Sequence, residues 1–253
     1  MITFTRLGDY GKLGNQLFQI ASTIGISTKN NNEYSFPEWS YNKYLKNELP
    51  ILLSDKSYRI EHNDFNYRDI KINNNGVIDI FGYLQSYKFF DNINVAEIFE
   101  LKDEYLLYRD KYDLENSISI HVRRNDYLSH THIYPILSID YYKRSLLELN
   151  KLGVFYDKVY IFSDDIEWCK SNFDFIENIH FISGYNDIVE LYMMSECKHN
   201  IISNSTFSWW SAYLNKNLDK KIICPDTWFN PCNEIRNFIY SDLIPEEWIK
   251  INI

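Results

Sequence analysis

Two adjacent arginines and a nearby aspartate follow a short apolar run, and their chemistry suits an anionic ligand. Residues 117–128 read SISIHVRRNDYL, so Arg123 and Arg124 close a run of alternating β-branched residues, with Asp126 two positions on. A guanidinium fork binds phosphate oxygens in bidentate fashion and stays charged at any working pH. His121 lies on the same strand face as Arg123. We therefore predict a phosphate-binding group here. The alternative left open is a pair of surface arginines neutralised by Asp126 and a neighbour.

A second polar segment places hydroxyl groups at the start of a predicted helix. Residues 203–210 read SNSTFSWW and follow another apolar run. Ser, Asn and Thr commonly cap helices, and the N–H groups of a first helical turn bind anions. We expect this helix start to face the arginines as the other half of a diphosphate clamp, although capping alone would also explain the composition. Trp209 and Trp210 are expected to anchor the helix.

Acidic residues close a further predicted strand. Asp164 and Asp165 could accept hydrogen bonds from a ribose hydroxyl or from the N–H edge of guanine. Two alternatives stay open, namely that they cap the following helix or that they bind a divalent metal. His130 and His132 could form a metal pair, but we interpret residues 130–132 as a solvated or hydrogen-bonded loop.

A glycine loop precedes a predicted helix near the N-terminus. Residues 8–16 read GDYGKLGNQ, with the glycines at every third position. This is neither the P-loop pattern nor the GxGxxG dinucleotide pattern. Glycine lets a backbone approach a ligand closely, but on its own the loop does not identify a ligand.

The segments that carry these residues alternate between strand and helix patterns, which predicts an α/β fold with a parallel sheet and helices on both faces. In such sheets the ligand lies outside the carboxyl ends of the strands, where the polar segments occur. We expect an N-terminal domain at 1–113 and a C-terminal, Rossmann-like domain at 114–253. Residues 30–72 are irregular, residues 73–76 form a turn, and residues 89–108 are partly helical with Asp91 as a cap. The predicted strands are 1–7, 77–81, 118–122, 159–162, 179–182, 200–203 and 222–224, and the predicted helices are 15–28, 139–152, 166–172, 187–197 and 207–215.

The bulk composition excludes several classes of protein. The chain has 253 residues and a formal net charge of −9, which argues against nucleic-acid binding because that requires basic patches. The N-terminus lacks the pattern of a signal peptide, and no apolar run approaches the roughly 20 residues that span a bilayer. We therefore expect a cytoplasmic protein. The four cysteines show no metal-binding spacing and are expected to be reduced and mostly buried; they are Cys169, Cys197, Cys224 and Cys232.

Several segments, taken in order, resemble the α-1,2-fucosyltransferases of glycosyltransferase family 11. They are GKLGNQLFQ at 11–19, HVRRNDY at 121–127, FSDD at 162–165 and NSTFSWW at 204–210, and PDTWF at 225–229 is similar to the family's usual Trp-Phe ending. The resemblance covers almost the whole chain apart from the irregular stretch at 30–72.

This resemblance implies two Rossmann-like domains of the GT-B type with the active site in the cleft between them. It implies GDP-fucose as the donor, transfer with inversion to the 2-hydroxyl of a galactosyl glycan, and no requirement for a metal or another cofactor. It assigns Arg123 to the diphosphate with Arg124 assisting, and Asn15 and Gln16 to the neighbourhood of the reacting sugar. The other residues that we predict to bind the donor are Gly14, His121, Asp164, Asp165, Ser205, Thr206, Phe207 and Ser208.

In the mechanism that this suggests, Arg123, Arg124 and the helix start at 205–208 stabilise the charge that grows on the β-phosphate, and Asn15 is a further catalytic candidate near the reacting sugar. Asp126 is the first candidate for the base that accepts the acceptor's proton and Asp9 the second, although Asp126 could instead orient Arg123 or His121. A different sugar-nucleotide transferase would keep the clamp and change the sugar, whereas a non-catalytic carbohydrate-binding module would need no clamp. The expected partners are GDP-fucose and an oligosaccharide or lipid-linked acceptor, with peripheral contact with the inner face of a membrane left open.

Overall fold

A computed structural model describes residues 1–53, 56–63, 65–73, 76–231 and 239–253. The chain forms two compact units. Unit 1 contains residues 1–105 and a C-terminal segment that ends at Glu246, and unit 2 begins at Leu106 and also takes the last residues from Glu247 to Ile253. Unit 1 therefore contains two separate segments of the chain. The predicted domains, 1–113 and 114–253, did not include this second segment in the N-terminal domain. The predicted turn at 73–76 lies partly, and Cys232 wholly, outside the described residues.

Unit 1 is built on a small parallel sheet and one long helix. The strands β1 (Ile2–Thr3), β2 (Tyr58–His62) and β3 (Ile78–Gly82) lie in the order β1-β3-β2. Helix α1 (Leu13–Lys29) is buried over most of its length, which fits its apolar composition. A Cβ atom added at Gly25 would come 2.0 Å from the backbone oxygen of Phe89. Glycine at this position therefore lets α1 pack directly on the backbone of the 87–90 segment.

Unit 2 contains a larger sheet formed by β4 (Ser117–Val122), β5 (Lys158–Ser163), β6 (Ile179–Ile182), β7 (His199–Ile201), β8 (Ile222–Pro225) and β9 (Ile249–Ile251). Every strand pair in this sheet is parallel, in the order β6-β5-β4-β7-β8-β9. Numbered within the unit from β4, this is the order 3-2-1-4-5-6 of a doubly wound Rossmann sheet. The strand order reverses between β4 and β7, so this is the topological switch point. The α-helices that follow α1 in the described part of the chain are α2 (Val95–Ile98), α3 (Asn125–Leu128), α4 (Ile139–Lys151), α5 (Ile166–Asn172), α6 (Asp187–Glu196) and α7 (Thr206–Tyr213).

Strand β4 is buried on both faces, as the run of β-branched residues predicts. Ile118, Ile120 and Val122 pack in one apolar cluster with residues of α4 and α5. The side chains that alternate with them point to the opposite face, where the His121 ring contacts Phe207 of α7. Helices therefore cover both faces of the sheet, and the predicted α/β class is confirmed.

Several local predictions differ from the structure. The first strand is limited to Ile2–Thr3 rather than 1–7, and β2 lies in the stretch that was predicted to be irregular. Asp91 does not cap a helix but pairs with Lys29 at 2.9 Å, and α2 begins after Asn94. Cys169, Cys197 and Cys224 are free and buried, as predicted. No helix in the described part of the chain is both long enough and apolar enough to cross a membrane.

Candidate active site

The switch point of the unit 2 sheet brings together two of the predicted polar segments. Strands β4 and β7 pair in parallel through Ile120 and Ile201, so their carboxyl ends are adjacent. At those ends Nδ1 of His121 lies 2.8 Å from Oγ of Ser203. Burial and the nearby charge of Arg123 lower the pKa of His121 to about 3. The imidazole is therefore neutral at physiological pH. Its buried contact with Ser203 links the end of β4 to the end of β7.

Arg123 extends past the end of β4 into a cage of carboxylates. Its Nη2 donates to Oδ2 of Asp126 at 2.7 Å, and its Nη1 lies 3.1 Å from Oδ2 of Asp164. Its Cζ lies 5.5 Å from the centre of the Tyr127 ring, within cation–π range. Only 16% of the side chain is exposed, and its buried Nε has no hydrogen-bond partner among the described residues. Because a guanidinium carries five N–H donors, donors remain for an incoming anion.

Arg124 is held by the neighbouring strand end. Its backbone N–H donates to Oδ1 of Asp164 at 2.9 Å, and its Nε donates to Oδ2 of Asp165 at 3.2 Å. The guanidinium also lies over the Trp168 ring, with Cζ 3.9 Å from the ring centre. Asp165 in turn accepts from the backbone N–H of Trp168 at 3.2 Å and so caps α5. The capping alternative is thus confirmed for Asp165.

These contacts change the expected electrostatics of the strand end. The sequence suggested two guanidiniums waiting for an anion, whereas the structure surrounds them with the carboxylates of Asp126, Asp164 and Asp165. The alternative stated that these are surface arginines paired with Asp126 and a neighbour, and the pairing is confirmed. The arginines are not surface residues, however, because their side chains are 16% and 15% exposed. Such pairing fixes the guanidiniums in one orientation before any ligand arrives.

The turn between β7 and α7 carries the residues that were predicted to form the other half of the clamp. Ser205 is the N-cap of α7, yet its side chain makes no capping hydrogen bond within the described structure. Ser208 is buried and donates to the backbone oxygens of Ser203 and Ser205 at 3.3 and 3.2 Å. Thr206 and Phe207 lie in the first turn and are partly exposed. Side-chain capping by Ser205 therefore does not account for the hydroxyl groups at the start of this helix. The first turn of α7 remains a candidate site for anion binding.

The tryptophans and the asparagine of this segment hold it in place. Trp209 and Trp210 are fully buried, which confirms the expected anchoring role. Asn204 donates through Nδ2 to the backbone oxygens of Pro135 and Trp228 at 3.1 and 3.2 Å. The turn is therefore rigidly tied to two other loops of unit 2.

The glycine loop lies in unit 1. Gly8 and Gly11 have φ angles of 93° and 88°, and Gln16 donates to the backbone oxygen of Gly11 at 2.8 Å. Trp39 donates to the other end of the Gln16 amide at 2.7 Å, so this buried side chain maintains the loop conformation. Asn15 accepts from Gln85 at 3.0 Å and remains partly exposed in the first turn of α1. Gly14 is buried beside it, whereas Asp9 is exposed in the loop.

The candidate metal pair is a hydrogen-bonded loop, as we interpreted it. Nδ1 of His130 lies 2.8 Å from the backbone oxygen of Asp126, and the His130 and His132 rings are 6.2 Å apart. Across the described ranges, no group of three or more His, Cys, Asp or Glu residues is arranged to hold a metal ion.

Sequence reasoning assigned no contacts to Tyr127 or Trp168, the aromatic partners of the two arginines. Tyr127 lies inside the HVRRNDY segment and Trp168 lies three residues after Asp165. Their proximity along the chain was a usable signal, because aromatic faces are common partners of guanidiniums.

The fold is that of fucosyltransferases with known structures. The structure of the fucosyltransferase NodZ from Bradyrhizobium has a TM-score of 0.55 at 12% sequence identity, covering 86% of this chain and 95% of that one. The structure of POFUT1 in complex with GDP-fucose has a TM-score of 0.53 at 9% identity, covering 87% and 96%. At such low identities the likeness concerns the fold alone.

The sequence relationship identifies the family. The profile described as Glycosyl transferase family 11 matches residues 4–252. An alpha-1,2-colitosyltransferase of Escherichia coli is 31% identical over 95% of this chain and 96% of its own length. A galactoside alpha-(1,2)-fucosyltransferase 2 of Hylobates lar is 22% identical over 81% of this chain and 67% of its own length. The chain belongs to glycosyl transferase family 11, and it is a glycosyltransferase.

Proposed function

We propose that this glycosyltransferase moves L-fucose from GDP-fucose to the 2-hydroxyl of a galactosyl residue in a glycan acceptor, with inversion at the anomeric carbon. Support for the sugar comes from the α-(1,2)-fucosyltransferases among its relatives. Support for the donor comes from the family membership and from the shared fold of a fucosyltransferase that was solved with GDP-fucose.

The observation that carries this proposal is the meeting of Arg123 and the α7 start at the switch point. Nucleotide ligands of doubly wound sheets bind outside the carboxyl ends of the strands at this position. Here β4 supplies a guanidinium with free N–H donors and β7 leads into a helix N-terminus. Both groups favour phosphate, one through charge-assisted hydrogen bonds and the other through backbone N–H groups.

The same groups account for the chemistry of the transfer. The bond between the fucosyl C1 and the β-phosphate oxygen breaks, and the electron pair leaves with GDP. Arg123 and the first turn of α7 stabilise the charge that develops on that oxygen. The acceptor oxygen forms the new bond to C1 from the opposite face, which gives inversion, and its proton passes to a base. Asp126 is the first candidate for that base and Asp9 the second. The Asp126 contact with Arg123 is equally what an orienting carboxylate would make.

The proposal includes no metal and no other cofactor. The N–H donors of the guanidinium and of the helix start take the role that a divalent cation has in many other sugar-nucleotide enzymes, which is to stabilise charge on the leaving phosphate. Asp164 and Asp165, the acids that could have bound such a cation, contact the arginines. The proposed partners are GDP-fucose and an oligosaccharide or lipid-linked acceptor; a lipid-linked acceptor would bring the protein into peripheral contact with a membrane.

A second candidate differs only in the donor sugar. The E. coli relative at 31% identity is an alpha-1,2-colitosyltransferase, and colitose is L-fucose without its 3-hydroxyl. A pocket built to hydrogen-bond that hydroxyl rejects the deoxy sugar strongly, whereas an apolar pocket discriminates weakly. The relative rates of transfer from GDP-fucose and from GDP-colitose therefore distinguish the two candidates.

The test is to incubate the enzyme in EDTA with a galactoside acceptor and either GDP-fucose or GDP-colitose, and to analyse the product by NMR. An α-linked fucosyl group on O2 of galactose supports the main proposal. Transfer of colitose in preference to fucose would replace it with the second candidate. A product formed only from GDP-mannose or a UDP-sugar would refute both, and binding of the glycan without binding of GDP would indicate a carbohydrate-binding protein.

A further inference from the structure

Tyr127 contacts Arg123 and also stacks on a second aromatic ring, that of Tyr134. It lies on α3, the single helical turn that follows the arginines. The Arg123 Cζ lies 5.5 Å from the centre of the Tyr127 ring, and Tyr134 stacks on that ring with the centroids 4.1 Å apart and the planes 9° apart. The ring therefore has little freedom to move, and it limits where the guanidinium can go.

The hydroxyl of Tyr127 reaches the other half of the site. It donates to the backbone oxygen of Asn204 at 2.8 Å. Asn204 lies in the turn that leads from β7 into α7, and its side chain is tied to the backbone of Pro135 and Trp228. One side chain thus contacts the guanidinium that follows β4 and the turn that begins α7.

The hydrogen bond to Asn204 persists over a wide pH range. Burial raises the pKa of Tyr127 well above that of a free phenol, so the hydroxyl stays protonated at any working pH. A phenol that remains neutral is suited to hold distances rather than to exchange protons.

We propose that Tyr127 is a positioning residue that sets the spacing between the Arg123 guanidinium and the first turn of α7, so that both bind the same diphosphate. This rests on the proposed donor site. The geometry matters because a fixed donor stabilises charge only where the charge develops, and a displacement of about 1 Å can cost a hundredfold in rate. Tyr127 touches neither the sugar nor the leaving oxygen in this account, and it acts through Arg123.

Two substitutions separate the functions of the ring and the hydroxyl. Tyr127→Phe removes the hydrogen bond to Asn204 and keeps the ring against Arg123, and we expect about fivefold weaker GDP binding, the size of one net hydrogen bond. Tyr127→Leu removes both contacts, and we expect a loss of about tenfold or more. Tyr160→Phe is the matched control, because Tyr160 lies in unit 2 away from the arginines and its hydroxyl, like that of Tyr127, makes a part-buried hydrogen bond to a backbone oxygen, that of Asp113 at 3.1 Å.

The deciding experiment is a double-mutant cycle with calorimetric GDP binding as the readout and Tm as the folding control. If Tyr127 acts through Arg123, Tyr127→Phe and Tyr127→Leu weaken GDP binding in the wild-type background and have a much smaller effect in an Arg123→Lys background, which keeps the charge and therefore measurable binding but lacks the planar guanidinium that Tyr127 orients. Tyr160→Phe should leave GDP affinity unchanged in both backgrounds. Equal losses in both backgrounds, or a loss in Tyr160→Phe of the same size, would assign Tyr127 a structural role only. Unchanged GDP affinity in both Tyr127 variants would overturn the proposal while the donor site stands. Failure of the wild-type protein to bind GDP would instead remove the donor site, and the positioning role with it.

Discussion

Replacing Arg123 by alanine should slow sugar transfer by about a hundredfold to a thousandfold in kcat. Removal of one fixed charge donor from a site of developing negative charge costs about 2.7–4 kcal/mol. The structure adds a second effect. Asp164, only 19% exposed, contacts Nη1 of Arg123, so the variant leaves a carboxylate beside the incoming diphosphate. That repulsion should raise the KM for GDP-fucose as well.

A second substitution separates the two effects. Asp164→Asn in the Arg123→Ala background removes the negative charge without restoring the guanidinium. The double variant should recover part of the KM and almost none of the kcat. Arg123→Lys keeps the charge but loses the planar fork, so its kcat should lie between those of the wild type and the alanine variant.

The assay is steady-state transfer from radiolabelled GDP-fucose to a galactoside, with Arg109→Ala as the control. Arg109 is an exposed arginine of unit 2 that pairs with Glu196, and its loss should leave kcat unchanged. A kcat for Arg123→Ala within tenfold of wild type would refute the charge-donor role. Recovery of kcat to that range in the double variant would show that repulsion by Asp164, rather than the missing guanidinium, caused the loss.

Three further predictions concern stability and the positions of site residues. Because the pKa of His121 falls from 6.5 to about 3 on folding, the unfolded state binds the extra proton, and wild-type stability should fall as the pH drops from 6.5 toward 3. Between pH 6.5 and 3, the free energy of unfolding, measured by chemical denaturation, should fall with decreasing pH more steeply in the wild type than in His121→Asn, by up to about 1.4 kcal/mol per pH unit. Equal slopes for the two proteins would contradict the assignment. Gly11→Ala should reduce activity more than Gly8→Ala, because both have positive φ but only a Cβ at Gly11 meets Asn15, at 2.4 Å, and equal activities would argue against a role for Asn15. Asp165→Ala should lower Tm by about 2–4 °C through loss of the α5 cap, as measured by calorimetry, while Asp165→Asn, which can still cap, should lower it less.

The C-terminal part of the fold was predictable because its signals are local and strong. The bounds of α5 agree with prediction at both ends, and β4 differs by one residue at its start. These elements combine a clear apolar run or stripe with polar residues at the ends. Strand β2 reads YRIEH and has the burial pattern exposed, exposed, intermediate, exposed, buried, so its alternation of Tyr58 and Ile60 with Arg59 and Glu61 is too short and too exposed to identify a strand. Its pairing with β3 comes from the tertiary structure rather than from its own sequence.

The candidate site was predictable in its residues but not in its contacts. The sequence placed arginines, aspartates and hydroxyl groups at strand ends, and the structure places them there. Which ends are neighbours depends on strand order, which no single segment encodes. For this reason the contacts of Arg124 with Asp164 and Asp165, and of His121 with Ser203, became visible only in the fold. The resulting cage replaces a simple positive patch with oriented, mostly buried ion pairs.

The most direct test of a metal-independent donor site is calorimetric titration of the wild-type protein with GDP-fucose in EDTA, repeated with Arg123→Ala. Binding by the wild type that is lost or greatly weakened in the variant is the predicted result, and it would place the diphosphate on the β4 end of the switch point. Absence of wild-type binding in EDTA, restored by Mg²⁺, would contradict the account and return Asp164 and Asp165 to the role of metal ligands.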